Sequence, residues 1–314
     1  MKYFLIAAAV LLAAAAFGFF WFARFAYKKA FYHPKEKRAD IFTLPPGKHY
    51  EEKRDYMLSL IEATVALEYE RVSTAARDGL KLNGNYYESK NANENAILQI
   101  EFHGYRGSAY RDFCGGTRIA LEAGCNVLAV EQRANGESES STITFGIKER
   151  FDCLCWIDYA IKRFGSDVRI ILSGVSMGAA TVLMAAGEVL PENVIGIIAD
   201  CPYSSPLDII EKVGGDMGLP KKAAGLFSLI GARLFGGFNL RESSAVEAVK
   251  KTDLPILIFH GEDDNFVPCE MSRRIAKAGK TVRLETFPEA AHALSFIKDE
   301  PRYRALLAEF LSNF

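Results

Sequence analysis

The chain has 314 residues, 49% of them hydrophobic and 25% charged, enough to fill the core of one large globular domain and leave an appendage. A formal net charge of -1, with no basic stretch interleaved with aromatics, removes the electrostatic case for nucleic-acid binding. The six scattered cysteines sit among apolar or small residues and read as free buried thiols; Cys153 and Cys155 lie inside a helical pattern with no second ligand pair at zinc spacing, so they read as packing.

The chain opens on an uncharged run from Tyr3 to Ala23, "YFLIAAAVLLAAAAFGFFWFA". At about 1.5 Å per residue such a run crosses a hydrocarbon core of about 30 Å. Ala13 to Ala16 offer an A-x-A cleavage site, yet the apolar run continues through Phe17, Phe19, Phe20 and Trp21, which favours a retained anchor over residues 1–30 rather than a signal peptide. Only Lys2 precedes the run, whereas Arg24, Lys28, Lys29, Lys35, Lys37 and Arg38 follow it, so the rest of the chain is expected on the cytoplasmic face. Residues 31–65 read as a tether, "HPKEKRADIFTLPPGKH", and a lead-in helix, "YEEKRDYMLSLIEATVALE". Removal of residues 1–30 is expected to leave a soluble, active domain.

The main domain is expected over residues 66–314. "YERVSTAA" and "LKLNGNYYES" flank Arg77, Asp78 and Gly79, and the Asp-Gly step signals a hairpin. Six apolar runs follow, "AILQIEFH", "CNVLAVEQ", "VRIILSG", "VIGIIAD", "PILIFHG" and "VRLETF", alternating with helical patterns such as Ile147 to Phe164. Strands this apolar are covered on both faces, which predicts an α/β fold with a mostly parallel sheet clothed by helices. Between Asp200 and Leu254 no strand signal is present, but Leu207 to Val213 and Ala223 to Phe235 are helix-like. A structureless loop of that length is improbable, so a helical cap insertion is expected after the sixth strand, at about 203–250, over the sheet edge where ligands bind.

Gly174-Val175-Ser176-Met177-Gly178 forms G-x-S-x-G between an apolar strand and a helix-forming run. Ser176 then occupies a sharp strand-to-helix turn with small neighbours, its hydroxyl exposed above a helix N-terminus whose free N–H groups suit a developing oxyanion. Serine needs a base, and the base an orienting group. Of the five histidines, His33 and His49 lie in the tether, His103 closes a strand, and His260 is too near the acid candidates in sequence to face them easily; His292, in "PEAAHALSF", remains. Glu262, Asp263 and Asp264 in "HGEDDNFVP" and Asp200 at a strand end are the acid candidates, and composition does not choose among them.

The order Ser176, acid, His292, with "HGYRGS", "GVSMG", "HGEDDNFVP" and "AAHALSF", resembles the α/β-hydrolase superfamily over about residues 66–314. The likeness is to its membrane-tethered bacterial branch and the related Bem46-like serine hydrolases, which include esterases, lysophospholipases and serine-aminopeptidase-like enzymes. The resemblance implies an α/β-hydrolase fold, places the acid on Asp264, and gives the oxyanion hole to the N–H groups of Tyr105 and Met177. "EQRANGES" is similar to the D-x-R-x-x-G-x-S turn of that superfamily, with Glu131 in the aspartate's place, and implies structural support near the site. The expected activity is serine-dependent hydrolysis of a small-molecule or lipid ester, with peptide or amide hydrolysis and non-catalytic binding as alternatives. No metal motif or phosphate-cradling glycine loop is present, so no cofactor is implied. Leu226, Phe227, Leu229, Ile230, Leu234, Phe235 and Phe238 of the insertion are candidates to line an acyl pocket or to dock the cap.

Overall fold

The structure is a computed structural model and describes residues 1–38 and 40–314. The predicted hairpin and the six apolar runs become eight strands: β1 (Glu70–Ala75), β2 (Lys81–Tyr87), β3 (Ile97–Phe102), β4 (Asn126–Glu131), β5 (Arg169–Val175), β6 (Val194–Asp200), β7 (Ile256–Gly261) and β8 (Val282–Phe287). They form one sheet in the order β1-β2-β4-β3-β5-β6-β7-β8. β1 and β2 form the expected antiparallel hairpin, β2 runs antiparallel to β4, and every pairing from β4 to β8 is parallel.

Alternate residues of the central strands feed two cores. Ile170, Leu172, Ile197, Ile256 and Ile258 join Ile100 and Phe102 against Trp156, Ile157 and Val182 of the helices Glu149–Phe164 and Met177–Ala185. Ile171, Ile198, Leu257 and Phe259 face the other way, against Phe287 and the C-terminal helix Glu300–Leu311 through Leu307 and Phe310. With helices on both faces the sheet has no solvated side, which explains runs without polar alternation.

One carboxyl pays for that burial. Glu101 on β3 is fully buried, touched by Gln99 Nε2 (2.9 Å) and Thr117 Oγ1 (2.6 Å). Burial pushes it up to about 8, against the two hydrogen bonds that lower it. The folded state therefore keeps a proton that the unfolded chain releases above about 4.5, so stability falls as pH rises from there to about 8. Glu101→Gln is expected to raise Tm, by a margin that grows from pH 5 to pH 8; a margin that is flat across this range would contradict the assignment.

The N-terminal helix Lys2–Ala30 is long and apolar enough to cross a membrane, and its hydrophobic window is not buried. Its C-terminal end, however, is built into the protein. Ala23 and Phe31 are fully buried, Phe31 within a cluster that holds Phe145, Met177, Tyr203 and Phe238. Tyr27 Oη meets Thr142 Oγ1 at 2.7 Å, Tyr32 forms a β-bridge with Thr142, and His33 Nδ1 lies 2.9 Å from Ala134 O. The residues read as the start of a tether are thus part of the packed body, because an apolar Phe-Tyr-His stretch has side chains that find buried partners.

Truncation should show the difference. Residues 1–18 can be removed without touching these contacts, whereas deletion of 1–30 strips Ala23 and Tyr27 from the body. The second deletion is expected to cost on the order of 2 kcal/mol of burial, or roughly 4–8 °C in Tm relative to the first. Equal melting temperatures for the two truncations would make the helix end dispensable.

Candidate active site

β5 ends at Val175, and Ser176 takes φ 55°, ψ -112°, before the helix Met177–Ala185 begins. Two glycines make this strained turn possible by close approach. A Cβ on Gly174 would collide with the backbone of Gly178, and one on Gly178 with the carbonyl of Phe102 on β3. The turn is tied to the next strand by Ser176 N–H donating to Asp200 O at 2.8 Å. These contacts hold a polar side chain at the C-terminal edge of the sheet.

His292, in the loop after β8, lies with Nε2 3.0 Å from Ser176 Oγ and Nδ1 2.6 Å from Asp264 Oδ2. A carboxylate only accepts, so Nδ1 carries the hydrogen and Nε2 is left to accept from the serine hydroxyl. Asp264, after β7, is buried, and its Oδ1 accepts the N–H groups of Phe266 (2.9 Å) and Val267 (2.8 Å). Burial opposes its charge, but attraction to His292 and hydrogen bonds from His260 and His292 outweigh it, holding this carboxyl well below the usual range.

The other acid candidates lie elsewhere. Asp263 is exposed, and Glu262 accepts from Thr286 Oγ1 at 2.6 Å. Asp200 is buried at the end of β6, near Tyr303 Oη (3.3 Å), and burial pushes it up to about 6. One sequence expectation is corrected here: His260 does face the acid. Its Nε2 lies 3.3 Å from Asp264 Oδ2 and 2.8 Å from Val267 O, and its Nδ1 meets Ser272 Oγ at 2.6 Å. The turn after Gly261 folds Asp264 back over the strand end, so four residues of separation bring the pair together. A carbonyl accepts only, so His260 donates through Nε2, and Asp264 sits between two imidazoles.

The loop after β3 passes beside the serine, since a Cβ on Gly104 would lie 3.4 Å from Ser176 Cβ. Gly104 N–H is held by Asp112 Oδ2 (2.7 Å), and Asp112 in turn by Arg111 Nε (2.7 Å). Tyr105 follows in this loop, and Met177 is the first residue of the helix, whose N–H has no intrahelical partner. Tyr105 Oη donates to Ala30 O at 2.8 Å, and Arg106, at φ 51°, donates to Lys29 O at 3.1 Å. His103 is buried, accepting from Gln132 N–H at Nε2 (3.1 Å). Glu131 braces its turn through Arg71 and the N–H of Glu137.

A cavity of about 570 Å³ opens over Ser176 and His292, lined chiefly by apolar side chains including Leu44, Pro45, Met57, Phe113, Phe296 and Ile297. No residue of the helices Pro206–Asp216 and Lys221–Gly231 lines it. The apolar insertion meets the N-terminal helix instead, Phe227 against Phe19 and Phe22, Phe235 against Tyr27. The cavity's cover comes from residues 43–57, where Tyr50 Oη donates to His292 O at 2.7 Å. Asp112 and Tyr50 carry no sequence signal, because their partners Gly104 and His292 are unmarked by a motif or remote along the chain.

Cys201 Sγ lies with ligand atoms of Asp264 and His292 inside 4.8 Å, the one grouping among the described residues with a metal-like donor set. Burial pushes the Cys201 thiol well up, which keeps it protonated and a poor ligand. Cys153 and Cys155 are free, the first buried and the second half-buried.

Sheet order, strand-turn-helix serine and covering helices make this an α/β-hydrolase fold, as the matches support. Residues 214–309 match the Dienelactone hydrolase family. The YqkD protein of Bacillus subtilis (strain 168) is 28% identical over 62% of this chain and 65% of its own length, so the match spans just under two thirds of that relative. Among solved structures, the Pyrococcus furiosus esterase Pf2001 is similar with a TM-score of 0.63 at 23% identity, over 80% of this chain and 93% of that one. An acylaminoacyl peptidase is similar with a TM-score of 0.59 at 21% identity, over 78% of this chain and 41% of that one. At these identities the solved structures show a shared fold.

Proposed function

We propose that the chain is a membrane-anchored serine hydrolase that cleaves a carboxylic ester with an apolar acyl group, in the manner of the membrane-tethered bacterial branch it resembles. The observation that carries this reading is the unbroken hydrogen-bonded line Ser176–His292–Asp264 beneath an apolar cavity. Ser176 Oγ attacks the ester carbonyl while His292 Nε2 takes its proton, and Asp264 steadies the imidazolium through Nδ1–H. The oxygen that becomes negative is received by the N–H groups of Tyr105 and Met177, fixed dipoles worth about 3 kcal/mol each to the transition state. His292 then protonates the departing alcohol, and a water deprotonated by the same Nε2 hydrolyses the acyl-enzyme. Leu44, Pro45, Met57 and Ile297 suit an acyl chain, while Arg106 and Asn265 in the same lining can meet polar parts of the substrate.

The helix Lys2–Ala30 serves as the anchor, with the body on the cytoplasmic face. The test is labelling of the purified full-length protein with a fluorophosphonate and peptide mapping of the adduct. Labelling confined to Ser176, and absent in Ser176→Ala, is expected. An unlabelled folded protein that admits the probe would leave a binding protein on this fold.

A further inference from the structure

We propose that the tip of the helical insertion is a second membrane contact, seated in the headgroup layer of an anionic phospholipid leaflet beside the N-terminal helix. The proposal rests on the reading of that helix as a membrane span.

The helices Lys2–Ala30 and Lys221–Gly231 run parallel, because their contacts advance together. Phe19 and Phe22 pack on Phe227 at 5.6 and 5.5 Å, a Cβ on Gly231 would strike Ala23 O, and Tyr27 meets Phe235 at 5.9 Å. Phe19 and Phe22 belong to the uncharged run that reads as the span. A bilayer surface drawn across that run therefore passes close to the insertion.

From Phe227 back to Lys221 the second helix extends about 9 Å further toward the start of the span, at about 1.5 Å per residue. Beyond it lies the turn to Pro206–Asp216, which carries the exposed apolar residues Met217 (62% accessible) and Leu219 (47%), with Leu226 (50%) on the next helix. Lys221 and Lys222 stand beside them. Two acidic groups share this end: Glu211 accepts from Lys222 at 2.7 Å, and Asp216 from Lys212 at 2.5 Å. Lys212, Lys221 and Lys222 outnumber Glu211 and Asp216 by one, so the balance at this end is positive.

Apolar tips flanked by ammonium groups suit the boundary between headgroups and acyl chains, where methylenes leave water and lysines meet phosphates. The same lysines exclude the hydrocarbon centre. They therefore set the depth: Lys221 lies about 9 Å before the level of Phe19 to Phe22, so the headgroup layer covers that stretch of the N-terminal helix and Phe17 to Phe22 fall in the interfacial belt. The neighbouring helix then links this surface to the cavity. Lys212 Nζ donates to Asn265 O and lies 6.0 Å from the centre of the Phe266 ring, and Phe266 stands edge-on to His292 at 5.1 Å.

The experiment places a tryptophan at Phe17, Leu219, Leu226 or Val189 of the full-length Trp21→Phe chain, in vesicles of phosphatidylcholine and phosphatidylglycerol carrying a nitroxide near the headgroup. Val189 is 96% accessible and lies outside the insertion. Quenching several-fold stronger at Leu219 and Leu226 than at Val189 is expected, weakened by Lys221→Gln with Lys222→Gln. Quenching at Phe17 with none above the Val189 level at Leu219 and Leu226 would overturn the second contact and keep the span. Quenching at the insertion but not at Phe17 would uphold the contact and remove the span, and no quenching at any position would remove both.

Discussion

Ser176→Ala is expected to lower turnover of a p-nitrophenyl ester by at least ~10³-fold in a protein that still folds, and His292→Ala to do the same. The serine hydroxyl makes one side-chain contact, to His292 Nε2 at 3.0 Å, and alanine keeps the Cβ that already occupies φ 55°. Nothing that holds the turn is lost, since its anchors are backbone: Ser176 N–H to Asp200 O, and the glycines on either side. The measurement is kcat/KM on purified variants with matched circular dichroism. Activity within tenfold of the parent in either folded variant would remove that residue from the chemistry. The double variant should fall little further than either single one, because the two groups act as a unit.

Asp264→Asn is the sharper test of how the site is wired, with an expected loss of about 10³- to 10⁴-fold, the size seen when an orienting aspartate becomes an amide in serine proteases. Two backbone N–H groups, from Phe266 and Val267, bind the Oδ1 position and would hold the amide oxygen there. The amide NH₂ would then point at His292 Nδ1 across the present 2.6 Å contact. That ring nitrogen would have to accept, the ring proton would move to Nε2, and the serine would face a donor instead of a base. Asp263→Asn, on an exposed carboxyl, is expected to keep near-parental kcat. A reversal of the two results would move the acid by one position, and a loss in Asp200→Asn alone would move it to the end of β6.

Much of this arrangement is legible in the sequence, and the reasons differ by element. The sheet could be read because strands buried on both faces leave continuous apolar runs, and β3 to β8 sit where those runs lie. The serine turn could be read because close approach leaves no choice but glycine at 174 and 178. Apolar residues do not record what they pack against, so Phe227 and Phe235 announced a buried face without saying that its partner is the N-terminal helix rather than the cavity. The cover over the cavity was hidden for a related reason: Leu44, Pro45 and Tyr50 form no periodic pattern, and Tyr50 meets His292 across 242 residues. His260 shows the limit of arguing from separation along the chain, since a turn reverses direction within four residues.

The last carbonyls of the N-terminal helix have acceptor sites that a helix end always leaves open, and here Tyr105 and Arg106 fill those of Ala30 and Lys29. The N-terminal helix and the loop beside Ser176 are therefore one packed unit. A chimera that borrows a foreign N-terminal helix should be joined before residue 19, so that Tyr27, Phe31 and the carbonyls they frame travel with the loop they meet. Joined after residue 33, the same exchange would ask a strange helix end to fit a loop shaped for another, and sequence drift in either partner should be answered by drift in the other.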